Sequence, residues 1–98
     1  ARGFVFGAMM VDSVLAVMGD SVMWRPGLIL RAETPVPAQI TIHSSVPSQS
    51  FVGEVGRSAT ISQLATGMYW VEASVSVGGD SIPWIISNPI YVYSESPN

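Results

Sequence analysis

The stretch Leu64–Val92, LATGMYWVEASVSVGGDSIPWIISNPIYV, decides how this chain folds. From Tyr69 onward Tyr69, Val71, Ala73, Val75 and Val77 fall on one face and Trp70, Glu72, Ser74 and Ser76 on the other. That period of two is the pattern of a half-buried strand. Gly78, Gly79 and Asp80 supply the positive-φ and turn-forming residues of a tight hairpin, so the chain returns antiparallel from Ser81. The return strand is Ile82 to Ile86 and then Ile90 to Tyr93. Pro83 and Pro89 each remove a backbone donor, which places this final strand near an edge. Leu64, Gly67 and Tyr69 have the spacing of a tyrosine corner, in which a Tyr at the start of a strand bonds to backbone a few residues upstream. The corner points to a Greek-key sandwich.

Working outward, Phe4, Phe6, Ala8 and Met10 alternate with Val5, Gly7, Met9 and Val11. Both sets are largely apolar, as in a strand covered on both faces. Val14–Met18 reads as a strand by its valines, although Asp12 could cap a short helix ended by Gly19. Gly19-Asp20-Ser21 and Arg25-Pro26-Gly27 are turns. Leu28, Leu30 and Ala32 face one way and Arg31 and Glu33 the other, with Pro35 and Pro37 closing that strand. Ile40 and Ile42 alternate with Thr41 and His43 in the next. Ser44–Ser50 reads as a Ser/Pro loop without core residues. Short strands follow at Phe51–Val55 and Ser58–Ser62, joined by Gly56-Arg57 as a two-residue turn. Seven or eight short strands with turn signals about every 8–12 residues predict an all-β, immunoglobulin-like antiparallel sandwich. It occupies residues 1–93 as one domain, and 94–98 form a polar tail.

The 98 residues are 48% hydrophobic and only 11% charged, against roughly 25% charged residues in ordinary domains. Lysine is absent, Arg2, Arg25, Arg31 and Arg57 are the only cations, and the net charge is −3. So few charges suggest that part of the surface is covered by something else. The same balance argues against nucleic acid or an anionic membrane as partner, since both attract clustered Lys and Arg. No cysteine is present, which excludes a disulfide framework and thiolate metal ligation. The apolar run Phe4–Met18 is too short for a membrane-spanning helix and lacks a signal-peptide pattern. The compartment is open.

No catalytic set stands out. His43, the sole histidine, lies on the outer face of a strand with no chemical partner near it in sequence, whereas a working site needs a base, an orienter and a nucleophile together. The carboxylates Asp12, Asp20, Glu33, Glu54, Glu72, Asp80 and Glu95 are scattered without metal-ligand spacing, and neither a GxSxG elbow nor a phosphate loop occurs. Glu72 is the most interesting acid, with Trp70 and Trp84 as candidates to share its face. Its simplest role is a cross-strand partner for Arg31 or Arg57. Trp24, Trp70 and Trp84 suit contact with another domain, ahead of a core role and of a stacking platform for sugar rings.

The string GMYWVEASVSVGGDSIPWIISNPIYV resembles the C-terminal end of PHP-type metal-dependent phosphoesterases. There a Gly-x-Tyr-x-Val-Glu strand precedes a short turn and a Pro-Trp-Ile-x-Ser-Asn-Pro-Ile-Tyr-Val strand. Gly3-Phe4-Val5-Phe6-Gly7-Ala8 is similar to the strand after the catalytic domain, Met18-Gly19-Asp20 to the turn that follows it, and Pro35–Ile40 to the approach to the central strand. The resemblance implies a non-catalytic accessory domain that packs on the catalytic PHP domain of the same polypeptide or mediates homo-oligomerisation. It implies no cofactor in this chain, and a divalent metal held by His, Asp and Glu residues of the preceding barrel. Trp70 departs from the arginine often found after that tyrosine. Met68, Trp70, Trp84, Ile85 and Tyr91 are the expected contact surface, and Gly67, Tyr69, Glu72, Pro83, Asn88 and Pro89 the expected structural positions. A carbohydrate-binding or adhesion-type module is the alternative.

Overall fold

The computed structural model describes residues 3–10, 13–45, 48–53, 55–62 and 64–94. These form nine strands and no helix: β1 (Val5–Met10), β2 (Ser13–Val17), β3 (Ser21–Met23), β4 (Ile29–Ser45), β5 (Ser48–Val52), β6 (Gly56–Ile61), β7 (Gly67–Val77), β8 (Asp80–Ile86) and β9 (Ile90–Tyr93). The fold is therefore all-β, as the alternation predicts. The helix alternative at Asp12 lies outside the described residues, and Val14–Val17 is strand.

The organising element is β4. Of its even positions, Leu30, Ala32, Thr34, Ala38, Ile40, Ile42 and Ser44 are buried and only Val36 is exposed, while its odd positions point outward, as period-two geometry requires. The expected stop at Pro35 and Pro37 does not occur. Between Glu33 and Ala38 β4 advances five residues while β6 advances two, from Ser58 to Gly56. The surplus residues bulge, and the Thr34 hydroxyl ties the bulge by donating to the Val36 carbonyl at 2.6 Å. A proline lacks only a ladder donor, and a bulge uses none. β4 thus continues through the bend, with β6 paired on both sides of it and the other partners changing across it. Residues 29–33 pair with β1, and 39–44 with β7.

β5 and β6 follow one another antiparallel to β4. They do not form the hairpin expected around Gly56-Arg57, both of which lie inside β6. Ser44 and Ser45 belong to β4 and Ser48–Ser50 to β5, so the Ser/Pro segment is mostly strand. Ile82–Ile86 and Ile90–Tyr93 are separate strands. β8 pairs only with β7, matching the edge expectation for Pro83, but β9 lies between β7 and β3. The β7–β8 hairpin turns on Gly78 and Gly79, at φ 59° and 89°, with Val77 opposite Asp80.

The strand order β2-β1-β4-β7-β9-β3 nearly closes on itself, because its end strands are consecutive in the chain. The turn between them is held by Gly19 N–H to Pro89 O at 2.7 Å and Tyr91 N–H to Asp20 O at 3.1 Å. A single core fills the interior, with Phe6, Leu30, Ile40, Ile42, Val71 and Ile90 as its largest fully buried side chains. In β1, Phe6 and Ala8 enter this core but Val5 is 48% exposed. The strand is thus covered on one face rather than two.

Candidate functional site

The outward positions of β4 and β7 meet in a defined register. His43 stands opposite Trp70 on β7 and opposite Ser50 on β5, and Thr41 stands opposite Glu72. Directly opposed residues share a face, and diagonal neighbours lie within reach of long side chains. The His43 and Trp70 rings accordingly stack, with centroids 5.3 Å apart and planes 20° apart. His43 Nδ1 lies 2.9 Å from Ser50 Oγ and Nε2 lies 3.2 Å from Glu72 Oε1. The face continues through Met68, opposite Tyr91, and Glu72, opposite Ile86.

This register answers the sequence expectations one by one. Glu72 pairs with His43, not with Arg31 or Arg57; Arg31 binds Glu33, its neighbour along the same face of β4, at 2.9 Å. Met68 and Trp70 are half-buried on the outer face, and Tyr91 is 46% exposed. Ile85 is the exception. It sits opposite Ala73, is 8% exposed and joins the core, so it offers nothing to a partner. Trp84 escapes the alternation because the register shifts there, with Ala73 opposite Ile85 and Ser74 opposite Pro83. The extra residue of a bulge is re-aimed, and Trp84 is 37% exposed. Trp24 donates its indole N–H to Leu64 O at 2.8 Å. The three tryptophans thus occupy β7, the β8 bulge and the segment after β3, and do not share one stacking platform.

The structural positions are also placed. Tyr69 Oη donates to Ala65 O at 2.6 Å, the expected corner. Burial raises the phenol's pKa above its ordinary 10.0. Gly67 opens β7 at φ 145°, and Asn88 is exposed. Ser87, unremarked in the sequence, carries more than its neighbours. Its hydroxyl accepts from Val71 N–H at 2.9 Å and its N–H donates to Val71 O at 2.9 Å, bridging the interval between β8 and β9 along β7.

Hydroxyl, imidazole and carboxylate in line are the components of nucleophilic sites. Here they lie on the open outer face of a sheet, and a groove of about 290 Å³ lies elsewhere, over Val5, Gly7, Met9, Val14 and Ile29 with Arg31 and Glu33. Among the described residues no group of three His, Cys, Asp or Glu side chains could hold a metal. Fold and face together define an all-β module with an open, aromatic and nearly uncharged outer surface. No family model, no curated protein and no solved structure matches the chain.

Proposed function

We propose that this chain is a non-catalytic interaction module, an immunoglobulin-like sandwich that binds another protein domain through the outer face of β7, β8 and β9. The observation that carries this reading is the exposure of Trp84, Tyr91 and Ile86, the last at 71%, on the strands that flank Met68, Trp70 and Glu72 of β7. Aromatic residues and Met are enriched at protein interfaces while Lys and Glu are depleted, and Tyr and Trp dominate binding hot spots. The tyrosine corner supports the sandwich assignment. The resemblance of Gly67–Val92 to PHP-type accessory domains proposes the partner: a metal-dependent catalytic domain in the same polypeptide, or a second copy of the module on such an enzyme.

The coding sequence upstream of Ala1 tests the partner. A barrel-length region with paired His-x-His and later His and Asp ligands supports it, and an upstream region without them removes it. In the full-length protein Trp84→Ser and Tyr91→Ser should then expose the interdomain boundary to limited proteolysis while the module keeps its own cooperative unfolding. Variants that instead unfold the module would show these rings to be structural and overturn the contact reading.

A further inference from the structure

We infer that the outer face of β4 and β7 receives an arginine side chain of the partner, its guanidinium stacking against Trp70 and pairing with the Glu72 carboxylate. This rests on the interaction-module reading and names the chemistry that the face selects. The outward positions there are Gln39, Thr41, His43 and Ser45 on β4, Met68, Trp70, Glu72, Ser74 and Ser76 on β7, and Ser50 on β5. Among them Glu72 is the one carboxylate, and there is no Arg or Lys. Among the described residues, Arg31 is committed to Glu33, Arg57 lies on β6 away from this register, and Arg25 follows β3, which lies beyond β9 from β7. The whole chain carries a net charge of −3, so its field favours an approaching cation.

The local geometry sharpens the choice. Glu72 uses Oε1 toward His43 Nε2 and has a second oxygen, on a side chain 42% exposed. The His43–Trp70 stack holds the indole in place beside it, so little rotamer freedom remains to be lost on binding. A cation over an indole face is attracted by the ring quadrupole. The planar guanidinium can stack and donate to a carboxylate at once, which the compact ammonium of lysine cannot match.

The test is NMR titration of the chain with N-acetyl-arginine amide, using N-acetyl-citrulline amide as the uncharged isostere and N-acetyl-lysine amide as the other cation. Saturable shifts at the Trp70 indole and at the His43 and Glu72 amides are expected with arginine, weaker with lysine and absent with citrulline. Glu72→Gln, which retains an oxygen for His43 and leaves the Trp70 contact intact, should weaken arginine binding about two- to fivefold, the range of one exposed ion pair. Equal shifts with citrulline, or an unchanged titration in Glu72→Gln, would overturn the inference. If the arginine probe fails while Trp84→Ser still loosens the domain boundary, the interaction module stands and only its arginine selectivity falls.

Discussion

At the scale of single residues, stability concentrates in side chains that complete backbone hydrogen bonds. Replacing Tyr69 by Phe removes the bond to Ala65 O and should cost about 1 kcal/mol, lowering Tm by about 4–8 °C for a domain of this size; calorimetry reads it directly. Because burial raises the folded-state pKa of this phenol, its protonated form is favoured by folding. Its contribution is complete below the ordinary tyrosine pKa of 10.0 and is lost as pH rises through the higher folded value. Alkaline unfolding followed by circular dichroism should therefore begin above about pH 10, and less steeply in Tyr69→Phe. Ser87→Ala leaves the buried Val71 N–H without its acceptor, at a cost of about 1–3 kcal/mol. Ser87→Thr, which keeps a hydroxyl, should recover part of that loss.

Elements were legible in the sequence wherever one face is buried and the other wet. Tyr69 to Val75 on β7 and Ile40 to His43 on β4 read correctly because period-two alternation records burial directly. The Tyr69 corner was visible for the same local reason. What local pattern does not record is pairing. Pro35 and Pro37 look like a strand end, yet a bulge absorbs them, and whether a proline terminates or bulges a strand depends on its partners. Ile85 reads as a surface neighbour of Trp84 until the register shift at Ser74 is known. His43 seemed partnerless because Ser50 and Glu72 reach it across two different strand pairs, 7 and 29 residues away. The β7–β8 turn belongs to this scale. With Gly78 and Gly79 at positive φ, Gly79→Val should destabilise by about 1–2 kcal/mol, seen as faster hydrogen exchange across β8 than across β1. A loss spread evenly over the sheet would argue against a local effect.

For the whole molecule, low charge and an aromatic outer face make association the property to measure. Sedimentation velocity over a hundredfold concentration range should give either a constant monomer, which excludes self-association through the face in that range, or a concentration-dependent dimer abolished by Trp84→Ser and Tyr91→Ser. A dimer indifferent to both substitutions would locate the contact on another surface, such as the groove over Val5 and Val14. Closure of the sheet through the turn before β3 also fixes Tyr91, whose N–H is held by Asp20 O. That side of the outer face is thereby anchored to the turn that joins β2 to β3, the two ends of the strand order.

The length of β4 has a mechanical corollary. A strand that gives its first residues to β1 and β6 and its last to β5 and β7 leaves no seam along which one half of the molecule can come away intact. Force applied along the chain should meet one rupture event, and a split of the gene at the β4 bulge should yield two fragments that fold only together. That indivisibility means load or strain arriving at the outer face of β7 is carried straight through β4 to β1.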